Sequence, residues 1–395
     1  MKCGNTLFIF WVLLLSACTK YQVIKADRST AAKAPEEIPT NQLLDIGISV
    51  FDAGIPEDEA TINEKNIFPD VRRAEAHYIP YELKKTIEQT GQWGSIRIIP
   101  TNSIGLDVIV SGQIIASDGE FLVLRIAAKD SVGNVWLQRE YSQRASKYAY
   151  VDHHFADRDP FQAIYNRISN DLFAVKKHLD DKRLENIRTV AELRFAQAFL
   201  PDVFGDHLVK DKQGKFVVDR LPARDDPMLE RIRLIKRSDH MFLDLFDQHH
   251  NKFSGGMSVP YRKWRKSSYD EVLAMQKSEQ HASEHGVLLG GMAVVGGLAA
   301  AALSGGASIN AMGSLISELE SSNGIFDDDQ AEIHVEALRE LSASFNEDVS
   351  NQVIDIEGKT LTLEGSSQRQ YNTWRQMLRE FYASQTGFTL GQNKP

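Results

Sequence analysis

The chain has 395 residues, 42% of them hydrophobic, which is enough apolar material for two or three domains with real cores. Its formal net charge of -9 is spread without a basic stripe, which works against binding to phosphate backbones, so no nucleic-acid partner is expected. The only cysteines, Cys3 and Cys18, fall near the start, which excludes disulfides, cysteine nucleophiles and thiolate metal sites from the rest of the chain.

Lys2 gives a positive start, and residues 7–15 form an apolar run too short to span a bilayer as a mature helix. Small residues follow, and Leu15-Ser16-Ala17-Cys18 resembles the lipobox of bacterial lipoproteins. That resemblance implies that residues 1–17 are a signal peptide recognised through Leu15, Ser16 and Ala17. It also implies that Cys18 carries a covalent lipid, with no other cofactor expected. In Gram-negative lipoproteins an aspartate after the cysteine favours the inner membrane; Thr19 stands there instead. The expected location is therefore the outer membrane, facing the periplasm, with the membrane as a partner through the lipid. Residues 18–43 are rich in Lys, Ala, Pro and Glu without periodicity and predict a tether. Fully stretched, it reaches on the order of 70 Å.

From Leu44 the pattern becomes strand-like. Ile46, Ile48 and Val50 alternate with small or polar neighbours. Ile79, Leu83 and Ile87 then recur at helical spacing, with Pro80 in the expected first turn and Gly91 just past the end. Residues 95–99, 106–116, 121–130 and 135–142 predict four strands, with turns at Asp118-Gly119 and Val132-Gly133-Asn134. Asp159 is placed to cap a helix whose apolar stripe is Phe161, Ile164, Ile168, Leu172 and Val175. The predicted order over residues 44–180 is β-α-β-β-β-β-α.

Three stretches here carry a resemblance: Thr90 to Gly94 (TGQWG), the strand opening at Asp107 (DVIVSG), and the hairpin from Asp130 to Trp136 followed by Arg139 and Tyr141. Together they resemble the α/β domain that begins the Tol-Pal β-propeller protein and occurs in curli-secretion and auxiliary transport lipoproteins. The resemblance covers about a third of the chain. It implies partner binding or ring assembly and supplies no catalytic residue, and no β-propeller repeat follows.

Residues 184–395 predict a mainly helical domain, so the fold class expected for the whole is α+β. Ile187, Val190, Leu193, Phe195 and Ala198 mark one helix ended by Pro201; residues 214–218 predict a short strand; residues 227–246 predict another helix. His240, Asp244, Asp247, His249 and His250 crowd one stretch, and Asp152, His153 and His154 another. Neither has the spacing of a complete ligand set, and both read as solvated segments. The basic run of residues 261–266 reads as a solvated face, with contact to anionic head groups as the competing reading.

His281-Ala282-Ser283-Glu284-His285 spells H-x-x-E-H, the signature of inverted zinc peptidases, in which His281 and His285 would hold zinc and Glu284 would act as general base. No recognisable motif supplies a third ligand, so a non-enzymatic reading is preferred, with zinc peptidase as an alternative. Residues 287–306 carry no charge and approach the length of a bilayer core. Small residues recur there at Ala293, Gly297, Ala301 and Gly305, with Gly286 and Gly290 as a separate pair, a pattern that lets helices approach closely. A buried helical hairpin, an oligomerisation face and a membrane-inserting element, as in a pore or transport subunit, all fit this glycine-rich apolar helix. Further on, Ile333, Ala337, Leu338 and Leu341 mark a helix, residues 353–364 a small hairpin, and Trp374, Met377, Leu378 and Phe381 a final helix. The expected function is that of an envelope assembly, secretion or scaffold lipoprotein, acting through self-association or envelope protein partners.

Overall fold

A computed structural model describes residues 29–101, 103–146, 148–151, 159–223, 225–287, 371–372, 374–376 and 378. Strand β1 (Ile46–Ser49) is buried at every position, as a strand covered on both faces must be. It pairs in parallel with β2 (Ile96–Ile99) on one side and β3 (Val108–Ser117) on the other. From β3 the chain continues as an antiparallel meander through β4 (Phe121–Asp130) and β5 (Val135–Arg144), giving the order β2-β1-β3-β4-β5. The turns are built by their aspartates. Asp118 accepts the backbone N–H groups of Glu120 and Phe121. Asp130 accepts those of Gly133 and Asn134, the Asn134 amide and the Trp136 indole N–H.

Helices α1 (Glu59–Glu64) and α2 (Pro69–Glu88) connect β1 to β2, and α3 (Gln162–Lys177) follows β5. The fold is α+β, with the sheet in the first half and helices after it. Helix α2 differs from expectation: it starts at Pro69, so Pro80 lies inside it. An interior proline leaves the carbonyl four residues back without its helical partner. That carbonyl, on Ala76, instead accepts the N–H of Phe51 at 3.0 Å, which holds the chain leaving β1 against the helix.

Helix α4 (Asp181–Phe199) is capped by Asp180 and ends before Pro201. Strands β6 (Leu208–Lys210) and β7 (Phe216–Val218) form a two-stranded hairpin around Asp211 and Gly214. Helix α5 (Pro227–Val287) then runs for 61 residues. The apolar core is continuous across these parts: Leu44 just before the sheet, Ile46 and Ile98 of the sheet, Ile187 and Phe195 of α4, and Ile232 of α5 belong to one buried cluster. Near the carboxy terminus, Tyr371 is buried with its ring 5.5 Å from that of Phe242, and Trp374 stacks on Phe242 at 5.7 Å.

The segment before β1 also departs from expectation. Residues 29–42 do not behave as an unpacked tether: their backbone is hydrogen-bonded to α3, to α4 and to the Thr90–Gln92 turn after α2. Polar side chains already fixed on the body capture an extended chain that needs no apolar periodicity of its own. The signal peptide, Cys18, the stretch 288–306 and the hairpin expected at 353–364 lie outside the described residues.

Candidate functional site: the seat of the long helix

Helix α5 is amphipathic over most of its length, and its buried face recurs at Leu243, Phe246, His250, Ser254, Met257, Tyr261 and Trp264, in steps of three and four. The helix passes through Gly255, Gly256 and Pro260 without ending. Two poor helix formers and a proline are tolerated because Met257, Tyr261 and Trp264 pack in one cluster with Val71, Ala74 and Tyr78 of α2. Tertiary packing outweighs local propensity here.

Polar contacts climb the same face. Arg97 on edge strand β2 donates to Asp244 at 2.5 Å. Asp247 accepts the backbone N–H of Ile98 at 2.7 Å and also pairs with Lys84, so a helix side chain satisfies a group that a neighbouring strand would otherwise take. His250 Nε2 lies 2.7 Å from the carbonyl oxygen of His77, one residue beyond Ala76 in the turn disturbed by Pro80. Tyr261 donates to Glu75 Oε1 at 2.5 Å, and the same oxygen accepts from Ser117 on β3.

At the far end Arg265 and Asp159 form an ion pair with side chains 0% and 2% exposed. Arg265 Nη1 lies 3.0 and 2.8 Å from the two carboxylate oxygens. Its guanidinium lies 4.2 Å from the centroid of Tyr261 and 4.8 Å from that of Phe161. Burial works against the Arg265 charge, but Asp159 together with the neighbouring Tyr261, Tyr165 and Tyr150 outweighs it and keeps the guanidinium protonated. The turn between β3 and β4 meets the helix backbone directly. A Cβ on Gly119, whose φ is +76°, would lie 2.8 Å from the Arg265 carbonyl oxygen and 2.9 Å from the Tyr269 nitrogen.

Outside these ion pairs, burial shifts several titratable groups towards their neutral forms. Burial, reinforced by the neighbouring His250, pushes the His77 imidazole down to about 3; burial pushes His250 down to about 4. Burial also raises Glu82, with Asp159 adding to the effect, and raises Glu88. Beside the ladder lies a cleft of about 330 Å³ lined by Lys84, Glu88, Trp93, Arg97, Asp244 and Asp247. Its two cations are already paired with its two aspartates. Chemically, the arrangement sets register and orientation.

The residues singled out in the sequence fall differently. Asp244, Asp247 and His250 do not converge; each is engaged with a different partner on the sheet domain. No group of three His, Cys, Asp or Glu side chains among the described residues could hold a metal ion. The basic run of residues 261–266 is no solvated face, since Tyr261, Trp264 and Arg265 are buried while Lys263 and Lys266 are exposed. His281, Glu284, His285 and Gly286 lie on helical backbone at the end of α5, and their side chains lie outside the described set. Leu15, Ser16, Ala17, Cys18, Gly290, Ala293, Gly297, Ala301 and Gly305 also lie outside the described residues. Among the described residues no helix is long and apolar enough to cross a membrane.

The Arg265–Asp159 pair went unrecognised in the sequence because its members are 106 positions apart. The available signal was the spacing of Tyr261, Trp264, Arg265 and Ser268, which continues the apolar stripe through the charges. No family model matches the chain, and no curated protein or solved structure matches it either. The resemblance to the Tol-Pal, curli-secretion and auxiliary transport domains therefore rests on its quoted residues. In the structure several of these build the sheet: Trp93 and Trp136 lie with ring centroids 6.2 Å apart, and the Asp107 side chain accepts the N–H of Asp45.

Proposed function

We propose that the chain is a non-enzymatic outer-membrane lipoprotein that serves as an envelope assembly, secretion or scaffold component. The observation that carries this reading is the seat of α5. A helix of 61 residues, about 90 Å long at 1.5 Å per residue, is held in one register on a small sheet domain by paired polar groups. Buried ion pairs contribute little net stability and specify position, which suits a strut more than a fluid core. The test is photo-crosslinking in intact cells from Met241, which is 72% exposed on the outer face of α5. A discrete protein adduct, either a second copy or an envelope protein, is the expected result. The reading fails if the purified chain binds one zinc and hydrolyses peptides in a manner abolished by Glu284→Gln.

One observation favours a second reading, in which residues 287–306 insert into a membrane as part of a pore or transport subunit. Helix α5 reaches Val287, the first residue of that uncharged stretch, without interruption. This reading expects detergent-dependent oligomers and vesicle leakage that Gly297→Glu abolishes. A well-behaved monomer that leaves vesicles sealed would dismiss it.

A further inference from the structure

Residues 29–34 lie beside α3 and the turn after α2 and are hydrogen-bonded to them through their backbone. Asn166 Nδ2 donates to the Ser29 carbonyl at 2.6 Å, and Asn170 Nδ2 donates to that of Thr30 at 2.9 Å. Asn170 Oδ1 in turn accepts the Ala32 N–H at 2.8 Å, so one side-chain amide pairs with the segment as a strand would. Gln92 Nε2 donates to the Ala32 carbonyl at 2.8 Å, and Ala34 donates to the Thr90 carbonyl at 2.8 Å. Further along, Gln42 donates to Asp181 and Arg188 donates to the Thr40 carbonyl.

The receiving groups are pre-set. Asn166 and Gln92 are 9% and 1% exposed, and Asn166 is itself held by Gln162, which also donates to Thr86. Buried amides need partners, and these find them on the segment. The sequence of the segment, Ser-Thr-Ala-Ala-Lys-Ala, is small enough to let its backbone lie close.

We propose that residues 29–42 are a strap that ties the lipidated leader to the body, so that the surface around Asn166 and Asn170 on α3 is held next to the lipid bilayer. The proposal rests on acylation at Cys18. Between Cys18 and the first strap contact only residues 18–28 remain, and eleven residues span at most about 40 Å. With the strap released the reach grows by roughly a further 45–50 Å. Lys20, Lys25 and Arg28 give that short leader a net positive charge, which suits anionic head groups.

The experiment uses the full acylated chain, labelled at Met241→Cys and reconstituted in vesicles of phosphatidylethanolamine and phosphatidylglycerol that contain an acceptor lipid. Energy transfer reports the distance from body to bilayer, and hydrogen exchange at Ala32 and Ala34 reports the strap itself. The expected result is slow exchange at both amides in the parent chain. Asn166→Ala/Asn170→Ala should give fast exchange at Ala32 and at least a twofold loss of energy transfer, with an unchanged melting temperature for the core. Fast exchange in the parent chain, or unchanged transfer after release, overturns the strap. Vesicle binding that survives Cys18→Ser overturns the acylation reading instead, while the exchange data still judge the strap.

Discussion

Arg265 closes the series of paired side chains that set the register of α5 on the sheet domain. Its guanidinium is enclosed by Asp159 and aromatic rings at the end of the seat, so its removal leaves a buried carboxylate without its counter-ion, held only by the Phe161 N–H. Arg265→Ala is expected to cost about 3–5 kcal/mol in chemical denaturation, whereas Arg265→Met combined with Asp159→Leu should recover most of that loss. Equal losses in the two proteins would mean that the pair stabilises more than it positions. Gly119 tests the same contact from the opposite side. Gly119→Ala combines a strained positive φ with a clash against the α5 backbone, and about 2 kcal/mol or more should be lost. A neutral result would show that the turn does not press on the helix.

At the scale of elements, α2 meets α5 at the His77 carbonyl, which lies 2.7 Å from His250 Nε2, and meets the chain leaving β1 at the Ala76 carbonyl that Pro80 frees. A proline inside a helix ordinarily costs about 3 kcal/mol, but the Ala76 carbonyl it frees is already used by Phe51. Pro80→Ala should therefore gain less than about 1 kcal/mol, which equilibrium unfolding will measure. Strand β2 is an edge, and α5 covers it through Asp247. Asp247→Ala should raise amide exchange at Ile98 by an order of magnitude or more, because that N–H loses its acceptor and Lys84 keeps only Glu88 as a carboxylate partner. The strands of the meander were legible in the sequence, since period-two alternation and Asp-Gly and Gly-Asn turns are local signals. The true start of α2 was not, because Pro80 in isolation marks a first turn, and only the partner for Ala76 makes it acceptable in the interior.

Acid response belongs to the whole molecule, because several buried groups sum. His77 and His250 have folded values of about 3 and about 4 against 6.5 unfolded. Their neutral forms are favoured in the fold, so stability is full above pH 6.5 and falls as the pH drops from 6.5 towards 4 for His250 and towards 3 for His77. Asp107 and Asp239 are raised by burial to about 6, so they act in the opposite sense: their contribution is full below about 3.8 and is lost as the pH rises through 6. Comparing melting temperatures at pH 7 and pH 5 for the parent chain and His250→Gln isolates the histidine share. The variant keeps an amide that can reach the His77 carbonyl and should lose measurably less stability on acidification; identical pH profiles would refute the assignment.

The α+β class, the succession of strands and helices along the first half and the helical character of the second were determined by the sequence itself, because hydrophobic period and turn chemistry act between near neighbours. Only the tertiary structure decided that the helix expected at 227–246 continues to Val287, that Tyr261, Trp264 and Arg265 of the basic run are part of the core, and that residues 29–42 are hydrogen-bonded to the body. Each of these depends on groups 106 to 186 positions away: Asp159 for Arg265, Glu75 for Tyr261, Asn170 for Ala32. Burial among distant partners reverses what charge, proline and low complexity signify locally.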